Sequence, residues 1–265
     1  MTWPHSLIEA CVLQPAFLYN GVRKIVQGIT WEPETLPQLT YEDLDYTQNK
    51  HKQLVRNYFD PEECDRVKQL IHKRRGQTFT SVAMSMRAGA KDKRSMGHCM
   101  QTLVIGMCRD KLTAELQYRS TEVILKFGGD LAFLPWIFEQ LEIEPQKVSF
   151  RFANAYLSGV FFPTLMRFWG DPIELMEYIY EKDPMLFKGA TRFVLRSARE
   201  ENQHFPYSPE NRQHQIGWKH LDMPKIARFL EKKHKKYGHP LPTIHTRKED
   251  YVTRAQKRAR EGDDE

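Results

Sequence analysis

The chemistry in this sequence starts at a cysteine. Cys99 stands in Gly97-His98-Cys99, directly before the apolar run Met100–Met107. A cysteine where a loop meets a strand can present a thiolate, the nucleophilic form, at the edge of a cleft. A lone cysteine is more often a buried core residue, so its neighbours decide its reading. Arg119 follows 20 residues later, in Gln117-Tyr118-Arg119-Ser120. An arginine offers a planar fork to a phosphate, and near a thiol it favours the thiolate. Further on, Gly128-Gly129-Asp130-Leu-Ala-Phe is a good helix start, where an aspartate can cap.

Elements must hold these residues. Apolar positions Leu7, Ile8, Cys11, Val12, then Leu18, Val22, Ile25 and Val26 predict helix over 6–28, broken at Pro15. Residues 30–50, rich in Pro, Thr and acidic residues, read as loop. Asp60-Pro61-Glu62-Glu63 opens a second helix with stripe Val67, Leu70, Ile71, ending at Arg75-Gly76. Strands are predicted over 78–86, 100–107 and 112–118, the last alternating Leu112, Ala114, Leu116 and Tyr118 on one face. Helix is predicted over 130–141, strand over 147–157, and helix over 162–182 and 221–237. This order implies an α+β fold, one sheet with helices on a face. One domain over 1–242 and a charged, flexible tail over 243–265 are expected.

Composition sets outer bounds. The chain has 265 residues, 40% hydrophobic and 12% aromatic, as a folded domain requires. Its apolar runs stay short of the roughly 18 residues that span a bilayer. The N-terminal stretch has no basic leader and carries Glu9 within its apolar run, which argues against a secretory signal. Cys11, Cys64, Cys99 and Cys108 form no CxxC pair, so neither disulfides nor a metal site is expected, and a cytoplasmic setting is. The net charge of +6 gathers in 225–236 and 254–260; a solvated helix face and tail account for it, and nucleic-acid binding is the competing reading.

The series Cys99, Arg109, Lys111-Leu112, Gln117-Tyr118-Arg119-Ser120 resembles the thymidylate synthase family, in which a nucleophilic cysteine precedes a strand, a turn and a strand ending in Arg-Ser. The resemblance covers roughly residues 6–160 and implies that family's fold, with sheets pairing across a homodimer. It implies that Cys99 attacks C6 of a pyrimidine nucleotide while Arg119 and Ser120 hold its phosphate. It makes Glu9 the catalytic glutamate that orders water. Trp31, 22 residues beyond Glu9, and Tyr46 become the aromatic residues of the folate side. Asn154 and Tyr156 contact the sugar, Asn154 standing where the family carries a histidine. An arginine given in trans by the second subunit is also implied, with Arg74, Arg75 and Arg87 as candidates and Arg87 preferred.

Asp130 lies 31 residues after Cys99, where thymidylate synthases carry an asparagine that reads uracil. A carboxylate accepts from the N4 amino group of cytosine and can share a proton with N3. The resemblance therefore points to the cytidylate hydroxymethylase branch. The expected reaction takes one carbon from 5,10-methylenetetrahydrofolate to C5 of CMP or dCMP and quenches it with water. Uridylate methylation or hydroxymethylation and cytidylate methylation are the alternatives within the family.

Overall fold

The computed structural model describes residues 5–20, 23–44, 48–86, 99–109, 111–124, 126–159 and 162–188, together with 191, 225, 226, 228, 229 and 232. The architecture is α+β. One mixed sheet of six strands runs in the order β1-β2-β6-β5-β4-β3. The strands are β1 Leu18–Asn20, β2 Arg23–Trp31, β3 Thr80–Ser85, β4 Met100–Cys108, β5 Lys111–Glu122 and β6 Lys147–Ser158. The helices are α1 His5–Leu13, α2 Gln48–Tyr58, α3 Pro61–Arg74, α4 Lys126–Leu141, α5 Phe162–Trp169 and α6 Pro172–Lys182. All neighbouring strands are antiparallel except β5 and β6, which run parallel. A parallel pair needs a crossover, and α4 supplies it.

The helix expected over 6–28 is corrected. Only His5–Leu13 is helical, and residues 18–20 and 23–31 form strands. The β-branched residues Ile25, Val26, Ile29 and Thr30 favour the pleated surface, and pairing with β6 rewards it. Helix α2 starts at the end of the loop expected over 30–50 and runs through residues for which no element was expected; its polar sequence gave little sign of it. The predicted helix over 162–182 is two helices. Gly170 turns at φ +101°, and Asp171 caps α6 by accepting from the Ile173 and Glu174 amides. In the same way Asp60 accepts from the amides of Glu62 and Glu63 and starts α3, as its sequence promised.

The core lies between the sheet and the helices. Alternating residues fill it: Val82 and Met84 from β3, Leu103, Ile105 and Met107 from β4, Ala114, Leu116 and Tyr118 from β5, Val148, Phe150 and Phe152 from β6. Phe127 of α4 meets Tyr118, Phe150 and Phe152 edge-on, with ring centroids 5.2–5.7 Å apart. No helix among the described residues is long and apolar enough to cross a membrane.

A line of irregularity crosses four adjacent strands. On β4 the register slips at Gln101, between Met100 and Thr102. On β5, β6 and β2, Arg119, Ala153 and Gly28 drop out of otherwise constant registers. Across this line the buried positions change parity: Phe150 and Phe152 give way to Ala155 and Leu157, and Trp31 and Ile29 to Val26 and Lys24. Gly28, at φ +66°, adopts the conformation such a break needs. A bulge adds twist and re-aims the side chains that follow it. Cys99, Ser120, Asn154 and Tyr156 all stand on or just beyond this line.

Candidate active site

Cys99 is half-buried at the entry to β4. Its carbonyl accepts from the Arg119 amide at 2.9 Å, which ties the cysteine to the neighbouring strand just where that strand is irregular. Burial pushes the Cys99 thiol up, and the charge of Asp130 adds to this. Lys126, Arg119 and a hydrogen bond from the Ser120 side chain pull the other way and favour the thiolate. Tyr58 of α2 is buried, and its hydroxyl oxygen meets the backbone amides of Cys99 and Met100. A helix far from Cys99 in sequence therefore holds the backbone of the cysteine.

Asp130 lies inside the start of α4 and is only 4% exposed. It does not cap that helix. Glu122, at the end of β5, does so, accepting from the amides of Ile124 at 3.2 Å and Lys126 at 3.4 Å. Burial raises the Asp130 carboxyl to about 7, against the opposing charges of Lys50 and Lys126. Near neutral pH the group is therefore present both as acid and as carboxylate, as a donor to a ring nitrogen requires. Lys50 is itself held below the usual lysine range by burial, with Asp130, Lys126 and Cys99 as its charged neighbours.

Tyr156 pairs with Glu122 across the parallel strands, and Arg23 lies 5.8 Å from its ring centre. Burial and Glu122 push its hydroxyl up to about 12, and the charge of Cys99 reaches it too. Asn154 is half-buried; its amide donates to the Arg119 carbonyl at 3.4 Å, and its own oxygen accepts from Gln27 at 3.2 Å. Its visible part is therefore to hold the strand that carries Arg119 and Ser120.

Cys99, Arg119, Ser120, Asp130 and Tyr156 thus converge. Glu9 sits on α1, where its charge acts on Tyr178 of α6. Trp31 is core. It is 6% exposed, packs on Phe127 and Phe150, and donates its indole N–H to Ser6 at 2.9 Å. Its place in the core follows from its position in β2, whose final residues face α4. Arg74 ends α3 and donates to the Ser81 carbonyl at 2.8 Å. Tyr46 and Arg87 lie outside the described residues.

Neither models of known protein families nor curated proteins match this chain. The site therefore has to be read from its own residues. Those that sequence reasoning missed are Lys50, Tyr58, Tyr118 and Lys126. Tyr118 and Lys126 flank recognised residues closely. Lys50 and Tyr58 belong to α2, and nothing in their own segment announces Cys99 or Asp130. A further aromatic group stands beside Asp130: the half-buried Tyr41, whose hydroxyl is 3.3 Å from His51 Nδ1, and His51 itself, which packs edge-on against Phe133 and Trp136.

Proposed function

We propose that the chain has a thymidylate synthase-like fold and transfers one carbon to C5 of a cytidine monophosphate, through a covalent adduct at Cys99. The observation that carries this reading is the convergence of Cys99 and the buried Asp130 beside Ser120, Arg119 and Tyr156. A nucleophile, a phosphate fork and a carboxyl poised near neutrality are the parts such a reaction needs.

Each residue then has a task. Cys99 adds to C6, which leaves C5 nucleophilic. Asp130 in its acid form gives a proton to N3 as the ring accepts electrons. The adduct then shows two donors, N3–H and N4–H, to the carboxylate. Arg119 and Ser120 hold the phosphate, and Tyr156 the sugar. Methylenetetrahydrofolate, when bound, supplies the one-carbon unit at its oxidation level. With Trp31 closed into the core, the half-buried Tyr41, whose hydroxyl the charge of Asp130 reaches, and Trp136, which packs on the same His51, would offer an aromatic surface to a pterin ring. The sheet face away from the helices would be the surface for a second subunit, and the enzyme a homodimer.

The test is tritium release from 5-tritiated CMP, dCMP and dUMP with methylenetetrahydrofolate, the product being identified by mass. Release from a cytidylate that requires folate and is lost in Cys99→Ala, with a product heavier by a hydroxymethyl group, is expected. Release from dUMP alone would assign Asp130 a different base. Silence with all three would sink the enzymatic reading and favour a binding role for the basic C-terminal segment, measured as salt-sensitive DNA or RNA affinity.

A further inference from the structure

Tyr118 carries a polar group for which the fold has no use. Its ring is core, 2% exposed, with centroids 5.7 Å from Phe127 and 5.2 Å from Phe152. Its hydroxyl has no hydrogen-bond partner among the described residues. Phenylalanine, already the chosen residue at three neighbouring positions, would fill this place without burying a hydroxyl. A buried polar group left unpaired by the protein calls for a reason outside packing. Tyr118 pairs with Met100 across β4 and β5, one residue from Cys99, and its neighbour Arg119 bonds the Cys99 carbonyl; the groups whose charges reach its hydroxyl are Asp130, Tyr58 and Cys99.

We propose that the Tyr118 hydroxyl holds the water that completes the reaction and relays its proton to the departing Cys99 sulfur. This rests on the nucleotide chemistry proposed above. The water oxygen bonds to the exocyclic methylene carbon on C5. The π pair of that methylene restores the C5–C6 double bond, and the C6–S bond breaks with its electrons passing to sulfur. Tyr118 accepts the water's proton while giving its own to the thiolate. The hydroxyl ends as it began, and no oxidant or reductant is consumed. Burial and Asp130 hold the Tyr118 hydroxyl protonated, which suits a relay rather than a free base. The same two influences push the Cys99 thiol up, which makes the departing thiolate a ready proton acceptor.

The experiment compares wild type with Tyr118→Phe, using 5-tritiated cytidylate and methylenetetrahydrofolate. The variant is expected to keep its melting temperature and its stabilisation by nucleotide. It should release tritium once per active site and then stall, with turnover down by about 10²–10⁴-fold, the usual range for a proton-transfer group. The denatured variant should carry the mass of the methylene nucleotide on Cys99, a signature that a merely structural residue would not produce. Wild-type turnover should also slow in D2O while the first release of tritium does not, a test that needs no variant. A Y118F enzyme that turns over like wild type overturns the relay. So does one that shows no first release, because the hydroxyl would then act before C5 is substituted. Wild type that releases no tritium from any nucleotide removes the underlying reading, and the relay with it. Active wild type beside equally active Y118F removes the relay alone.

Discussion

Two aspartates are buried almost equally in this protein and are treated in opposite ways. Asp183, just past α6, is 5% exposed and fully engaged. It accepts from Lys24 Nζ at 2.6 Å, from the Tyr19 hydroxyl at 2.8 Å and from the Leu186 amide at 2.8 Å. Lys24 in turn donates to the Val12 carbonyl at 2.6 Å. This cluster fastens β2 to the end of α1 and to the chain after α6. Asp130, 4% exposed, has two lysines at a distance that do not offset its burial, and a neighbouring tyrosine hydroxyl without a partner. A buried carboxylate that is paired on every side is a fastener. One held near neutrality beside an unpaired tyrosine hydroxyl can both give and accept a bond.

Perturbing each side tests this contrast, and the largest effect belongs to the site. Cys99→Ala should lower turnover by about 10³-fold or more, as loss of a nucleophile does, with little change in melting temperature. On the other side, Lys24→Met strands Asp183. It should cost about 3–5 kcal/mol by urea unfolding, while the folded fraction keeps its kcat. Lys50→Met is the matching change at Asp130 and should cost clearly less stability, because Asp130 can take up a proton. Equal losses in the two variants would erase the distinction.

Asp130→Asn tests the cost of the poised carboxyl. Asp130 binds its proton more tightly in the folded chain than in the unfolded one. Its contribution to stability is therefore complete below about pH 4 and lost as pH rises through about 7. The loss by pH 8 is on the order of 4 kcal/mol, because the carboxyl sits at about 7 rather than in the usual carboxylate range. Asp130→Asn should flatten the melting temperature between pH 4 and 8 and stabilise the protein at the alkaline end, while moving base preference toward uracil. The smallest effect is expected of Tyr58→Phe. Removing the hydroxyl that meets the Cys99 and Met100 amides should cost about 1–3 kcal/mol and lower kcat more than it raises KM.

The two clusters also differ in how far they could be read in advance. Asp130 stood out because its spacing from Cys99 placed it in a pattern with Arg119 and Ser120. Asp183 carried no such mark; its partners Tyr19 and Lys24 lie about 160 residues away, in a segment whose hydrophobic spacing read as helix. Trp31, which the resemblance put on the folate side, stands in the core, where its strand turns it against Phe127.

Several features were fixed by local chemistry alone: the caps at Asp60 and, once the chain breaks at Gly170, at Asp171, and the alternation of β3 to β6 up to the line of irregularity. These depend on residues close in sequence, where side-chain period and capping act directly. Three others depended on distant strands and helices. One is the pairing that made strands of 18–31. Another is the irregularity that runs from Gln101 through Arg119 and Ala153 to Gly28. The third is the approach of Lys50 and Tyr58 to the cysteine. Desolvation belongs with this second group: an aspartate reaches about 7 only when other elements close over it, and no single segment of sequence carries that information.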